Sequence, residues 1–235
     1  MKLALVGKGN VGHHLYHYFL EEGKDVVWVD SRAAQIPKAD IVVLCIPDKA
    51  IAPWFEGRDL DAECCYCHTS GATSLADIPS ENKGVIYPLQ TFSKDKEMEY
   101  KTIPFYLEFA NAKSEALIQN WFKDLANTTQ VLSSHERLKL HVAAVFACNF
   151  LQAQLRMSEQ LLQQVNLSKN DLRHLVTESV EKFYAMDGAR GQTGPAHRGD
   201  TTTLEKHREI LSKNRELSEV YHLISDWIIN HNHAQ

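Results

Sequence analysis

Three glycines near the start restrict this chain more than anything else in it. Gly7, Gly9 and Gly12 spell G-x-G-x-x-G directly after the apolar run Leu3-Ala4-Leu5-Val6, and the segment that follows has helical apolar spacing at Val11, Leu15, Tyr18 and Phe19. A strand, a tight turn and a helix are expected there, with Gly23 at the helix end. The first glycine permits the turn, the second lets the backbone approach a pyrophosphate, and the third lets helix and strand pack closely. The free N–H groups of the helix start would then hold the phosphates, which makes Gly7, Gly9, Asn10, Val11 and Gly12 the candidate phosphate-turn residues.

The context supports a dinucleotide rather than an ordinary glycine-rich turn. Val26-Val27-Trp28-Val29 is a strand-type run ending in Asp30, which lies 18 residues past Gly12, where a carboxylate would accept the adenosine ribose hydroxyls. Asp30 favours NAD, because a carboxylate repels a 2′-phosphate. Ser31 and Arg32 favour NADP, because a hydroxyl and a guanidinium are the groups that hold a phosphate monoester. The balance leans slightly to NADP, with NAD as the alternative.

At 235 residues the chain exceeds one dinucleotide-binding domain, so two domains are expected, 1–132 and 133–235. A net charge of −5 without a basic stripe argues against nucleic acid as a partner. No signal segment or spanning helix fits, so a cytoplasmic protein without a membrane partner is expected. The five cysteines, Cys45, Cys64, Cys65, Cys67 and Cys148, sit mostly in apolar runs and read as reduced thiols. Cys64-Cys65-Tyr66-Cys67-His68 contains C-x-x-C-H, but a haem attachment string needs an exposed loop, and this stretch reads as a buried strand. A zinc site on Cys64 and Cys67 lacks a second pair of thiols, and His13 with His17 lacks a third ligand, so no metal is expected.

Strand-type runs continue at Ile41 to Ile46, Cys64 to Cys67, Gly84 to Tyr87, Ile103 to Phe109 and Thr129 to Leu132, with a short amphipathic segment at Lys49 to Phe55 and a helix at Ala112 to Leu125. The near-continuous apolar run at 41–46 marks a strand covered on both faces. These elements predict an α/β fold, a doubly wound Rossmann-like sheet of parallel strands with right-handed crossovers. From Ser133 onward only helical periodicity remains: one long helix over His135 to Val165, then Leu172 to Met186 and Leu204 to Trp227, with a glycine-rich break at Gly188 to Gly199. The second domain is therefore expected to be all-α. Leu151, Leu155, Leu161 and Leu162 exceed what one helix of a small domain buries, which points to a homodimer.

This arrangement resembles the hydroxyacid dehydrogenase, ketopantoate reductase and pyrroline-carboxylate reductase group, with its 6-phosphogluconate-dehydrogenase-like C-terminal helices. In detail, His68-Thr69-Ser70-Gly71, Tyr87-Pro88-Leu89-Gln90-Thr91-Phe92-Ser93, the stretch from His141 through Cys148-Asn149 to Phe150, and Gln192-Thr193-Gly194-Pro195 followed by Arg198-Gly199-Asp200 look like the motifs of a largely uncharacterised family. That family pairs a Rossmann-like domain with a C-terminal domain of unknown function 2520. The resemblance implies the fold, a nicotinamide cofactor and an oxidoreductase acting on a small molecule; it names no substrate.

Candidate site residues fall at strand ends, because ligands of open α/β sheets lie beyond the carboxyl ends of the strands. Ile46, Pro47 and Asp48 would line the ribose, by resemblance to reductases of this group. His68, Thr69 and Ser70 offer an imidazole and two hydroxyls near the reacting ring, the hydroxyls to the cofactor. Tyr87, Gln90 and Thr91 are candidate substrate contacts, the alternative being a structural turn around Pro88. Hydride transfer to C=O or C=N needs a proton donor, and His141 is the first candidate, with His68 and Asn149 beside it. At 100° per residue His141, Val145, Cys148 and Gln152 share a narrow sector that Asn149 borders. His141 as a satisfied interface histidine and Asn149 as a helix-bonding amide are the competing readings. Arg198 is a candidate clamp for a substrate carboxylate, with Asp200 orienting it or capping the next helix. Hydroxyacid dehydrogenases and ketopantoate reductases carry a catalytic lysine four residues before the asparagine, where this chain has Val145. A non-catalytic dinucleotide-binding sensor or docking protein is the alternative that this difference motivates.

Overall fold

The computed structural model describes residues 1–186 and 188–231. A seven-stranded sheet runs in the order β2-β1-β3-β4-β5-β6-β7, with β1 Lys2–Val6, β2 Asp25–Val29, β3 Ile41–Leu44, β4 Cys65–His68, β5 Lys83–Pro88, β6 Phe105–Phe109 and β7 Thr129–Val131. The order reverses at β1, beside which β2 and β3 lie in parallel register, Leu3 opposite both Val26 and Ile41. The crevice between the carboxyl ends of β1 and β3 is where such sheets bind ligands.

Residue alternation explains the uninterrupted apolar runs, since successive side chains feed two separate cores. Leu3, Leu5, Ile41, Val43, Cys65 and Cys67 pack with Leu15, Tyr18 and Phe19 of helix α1 (Asn10–Glu21) and with Ile118, Trp121 and Phe122 of α3 (Ala112–Phe122). Ala4, Val6, Val42, Leu44 and Tyr66 face the other way, onto Ile51, Trp54 and Phe55 of the short α2 (Ile51–Phe55). The Cys64–Cys67 stretch is thus interior strand, with the three thiols buried. Among the described residues no group of three His, Cys, Asp or Glu is placed to hold a metal ion.

The sheet is mostly parallel, as expected of a doubly wound fold, and the exception is β6, which pairs antiparallel with β5, Ile86 opposite Leu107. Residues 89–104 contain only the single 3-10 turn Tyr100–Thr102, so no crossover helix carries the chain back to a parallel start. β7 is again parallel to its neighbour.

After β7 every described element is helical. A capping box between Ser133 and Glu136 opens α4 (Ser134–Ala144). The predicted uniform helix over 135–165 is interrupted by a π-helical stretch, Val145–Phe150, before α5 (Leu151–Gln163). Next come α6 (Arg173–Ala185) and the short α7 (Gly188–Gly191). The expected helix over 204–227 is two helices, α8 (Thr201–Leu211) and α9 (Arg215–His231), because Asn214 accepts the Leu217 N–H and starts a new helix. The chain divides into two compact units, Met1–Phe150 and Leu151–Gln235. No described helix is long and apolar enough to cross a membrane.

Candidate active site

The glycine turn has the geometry its sequence predicts. Gly7 has φ +112°, and a Cβ on it would strike the Cys45 carbonyl oxygen at the end of β3, while one on Gly12 would strike the Gly7 carbonyl. Beside Gly9, by contrast, a Cβ would meet nothing within 4 Å. The protein needs Gly7 and Gly12 for its own packing, whereas the space next to Gly9 is open to a ligand. Gly9 also caps α1 with no side-chain hydrogen bond, so the first N–H groups of that helix keep their donors for an anion. These residues fit a bound dinucleotide pyrophosphate. The Trp28 indole N–H donates to the Gly7 carbonyl at 2.9 Å and braces the turn.

At the end of β2 the Asp30 carboxylate is engaged by Arg32, whose Nε lies 3.1 Å from Oδ1 and Nη2 3.2 Å from Oδ2. This pair, with the Arg32 backbone N–H on Oδ1, holds the Asp30 carboxyl down at about 2. Asp30 is therefore paired with Arg32 within its own turn, at an exposed position. Ser31, Ile46 and Pro47 line one recess of about 360 Å³ together with Trp54 and Arg58. Asp48 is exposed and opens the 3-10 turn before α2.

A larger cleft, of about 530 Å³, lies in the first unit over the end of the glycine turn. One wall is Asn10, Val11 and Thr69, a second the segment from Tyr87 to Phe92, and a third runs along α4 and the π turn with His141, Ala144, Val145, Ala147, Cys148 and Asn149. The 87–92 segment is held there by specific bonds. Asn10 Nδ2 donates to the Phe92 carbonyl at 3.0 Å, and Lys94 Nζ donates to the Lys8 carbonyl at 2.8 Å. His14, which sequence reasoning missed, is buried beneath and bridges the Ser93 carbonyl at 2.8 Å and the Tyr100 hydroxyl at 3.0 Å. It shares the inward helix face with Tyr18 four residues on, a signal the sequence did carry.

Within the cleft His141 Nδ1 and the Tyr87 hydroxyl form a hydrogen bond of 3.2 Å. Burial pushes the Tyr87 phenol above its ordinary range, so it stays protonated at neutral pH. The imidazole rests on Gly71, where an added Cβ would lie 2.6 Å from Nδ1 and 2.7 Å from Cγ. Glycine at 71 is thus the seat of the ring, a role that its place in the His68-Thr69-Ser70-Gly71 string does not disclose. The π turn matters here as well. On a uniform helix Asn149 only borders the His141 sector, whereas each i→i+5 turn takes up one more residue, roughly 100° of rotation, and Asn149 lines the same cleft.

Two expected contacts are corrected. His68 is fully buried at the end of β4 and does not line the cleft; its Nδ1 accepts the Ser70 N–H at 3.2 Å. Burial, with the nearby Arg137 guanidinium, drives its pKa down to about 4, so the ring is neutral at pH 7. Ser70 is likewise buried and outside the cleft lining, its hydroxyl accepting the N–H groups of Ala72 and Thr73, which shapes the loop. Beneath this loop lies Arg137, 1% exposed, paired with Glu108 of β6 and donating to the Thr73 carbonyl. Glu108 also accepts the Ser134 N–H at 2.9 Å. This buried pair moors the start of α4, and with it His141, to the sheet and to the 70–75 loop.

In the second unit Asp200 caps α8, its carboxylate accepting the Thr203 N–H at 3.1 Å and the Thr203 hydroxyl at 2.7 Å. The capping role expected for Asp200 is thus present in the structure. Arg198 is exposed on the same loop.

With the geometry described, comparison with known proteins places the chain. The model of the family described as Domain of unknown function (DUF2520) matches residues 103–228, more than half the chain. The chain belongs to this family. No curated protein sequence matches it. Among solved structures it resembles BF3122 of Bacteroides fragilis, provisionally named an NADP oxidoreductase, at 26% identity and TM-score 0.88 over 97% of this chain and 98% of that one. Protein TM1727 of Thermotoga maritima follows at 20% identity and TM-score 0.72, with 96% of each chain covered. The Aspergillus terreus reductive aminase in complex with NADPH and ethyl levulinate shares the fold at 13% identity and TM-score 0.72, over 98% of this DUF2520 chain and 93% of the aminase. The fold is therefore Rossmann-like with a helical C-terminal region, as the sequence implies.

Proposed function

We propose that this DUF2520 protein is a cytoplasmic NAD(P)-dependent oxidoreductase that moves a hydride between the cofactor and a small C=O or C=N compound. The observation that carries this reading is the Tyr87–His141 pair, 3.2 Å apart, in a cleft that also includes Asn10 and Val11 of the glycine turn. A nicotinamide bound along that turn would supply the hydride. The protein's own part is the proton: with Tyr87 bonded to Nδ1, the other imidazole nitrogen is the one available to a substrate oxygen or nitrogen. Asn149, Gln90 and Thr91 orient the substrate from neighbouring walls. BF3122 and the NADPH-bound aminase support the cofactor class, and the Asp30–Arg32 pair supports NADP, since a 2′-phosphate can take over a guanidinium already aimed at an anion.

We also propose that the chain is a homodimer. Helices α5 and α6 bury none of their residues fully, and Leu161, Leu175, Val180, Phe183 and Tyr184 stand exposed on them.

Titration with NADPH and NADH, followed by cofactor fluorescence and thermal shift, tests the first step; no response to either refutes the proposal. His141→Ala should then lower turnover by about 10²- to 10⁴-fold with cofactor affinity unchanged. The rival reading, a dinucleotide-binding sensor, draws on Val145 standing where related dehydrogenases carry lysine. Cofactor binding without hydride transfer to any carbonyl or imine would favour it.

A further inference from the structure

The cleft that holds His141 is unusual for an oxidoreductase site in its charge. Among the described residues that line it there is no carboxylate, ammonium or guanidinium. Its apolar surface includes Val11, Leu89, Phe92, Ala144 and Val145, and the polar groups between them are hydroxyls, amides and the His141 imidazole. Lys8 and Lys139, each two residues from a lining residue, do not line the cleft, and two further cations close by in sequence are committed elsewhere. Arg137, one helical turn before His141, is buried against Glu108 and the Thr73 carbonyl, and Lys94 is bonded to the Lys8 carbonyl.

We infer that the substrate of this cleft is an uncharged, mainly apolar carbonyl or imine compound, and that carboxylate-bearing oxo acids and imino acids are excluded. The inference rests on the reading of the cleft as a substrate site and adds the substrate's class to it. The physical ground is desolvation. A neutral C=O gives up little on leaving water if one donor meets it, whereas a carboxylate entering a mainly apolar cleft with no guanidinium or ammonium to pair with loses far more. About 530 Å³ suits a small molecule of this kind. Val145 is the determining position on the helix wall: a cation there would stand inside the cleft.

Levulinamide and levulinate, nearly isosteric and differing in charge, separate the alternatives. Their dissociation constants are measured by ligand-observed NMR at about pH 8.5, above the ordinary imidazole range, with and without NADPH. The amide should bind at least about tenfold more tightly than the acid, and Val145→Lys should raise the affinity for levulinate by at least about tenfold. Equal affinities, tighter binding of the acid, or binding of neither overturns the inference. NADPH binding is read separately from its own fluorescence, so a protein that ignores NADPH yet prefers the amide refutes the oxidoreductase reading and leaves this one standing.

Discussion

Replacing Gly71 with alanine puts a methyl group where the His141 ring now rests. Its carbon would lie 2.6 Å from Nδ1, 2.7 Å from Cγ and 3.0 Å from Cβ, against 3.4 Å or more for ordinary contact. The imidazole must therefore retreat by close to 1 Å. Nδ1 is the atom that meets Tyr87 at 3.2 Å, so the retreat breaks or stretches that bond. Overpacking of this kind costs about 1–3 kcal/mol, and for a chain of this size each kcal/mol lowers Tm by roughly 2–4 °C. The effect on turnover should be larger in proportion, about 10²-fold, because a proton donor displaced by about 1 Å loses its alignment. Calorimetry on wild type, Gly71→Ala, His141→Ala and the double variant forms a cycle. With the ring gone the new methyl still lies 3.0 Å from the residue 141 Cβ, so the cost of Gly71→Ala should shrink without vanishing. An identical cost in the presence and absence of the ring would falsify the seat.

Three further outcomes follow from the same geometry. His68 has an ordinary value of 6.5 and is held at about 4 when folded, so the unfolded chain binds the proton first on acidification; roughly 3 kcal/mol of stability, present above pH 6.5, is lost as pH falls through 4, and urea midpoints should lose this slope in His68→Gln. Arg137→Met leaves Glu108 without its buried partner and should destabilise the first unit by about 3–5 kcal/mol, read by chemical denaturation; a change under about 1 kcal/mol contradicts the mooring role. Arg32→Ala should weaken NADPH binding by about tenfold or more while NADH changes little, and parallel losses for both cofactors would show that Arg32 does not read the 2′-phosphate.

What could be read in the chain, and what could not, divides by the range of the interaction. The glycine turn, the β3 run and the change of character after Thr129–Val131 depend on neighbours within one turn or strand, and their residues declare them. The antiparallel β6 depends on which strand its edge meets, which no local pattern encodes. Arg137 is illegible for a related reason, since its partners Glu108 and Thr73 are far away in sequence, and His14, although its inward helix face is legible, shows nothing of its partners Ser93 and Tyr100. The π turn lies between, since its residues are ordinary helix formers and only the i→i+5 bonding reveals it. Asn214 was legible as a helix start and was passed over in favour of the apolar period.

The antiparallel strand carries a consequence for the boundaries of the family itself. The region that the family model matches begins at residue 103, two residues before β6, and so it includes β6 and β7 but none of the five strands that precede them. On the β5 side β6 draws its hydrogen bonds from Gly84 through Pro88, all outside the region. A fragment cut at that border would begin with an unpaired sheet edge bearing Phe105 and Leu107, both buried in the intact chain. In this chain the matched region is therefore not a folding unit by itself: its first strand needs β5, which lies outside it, at its side.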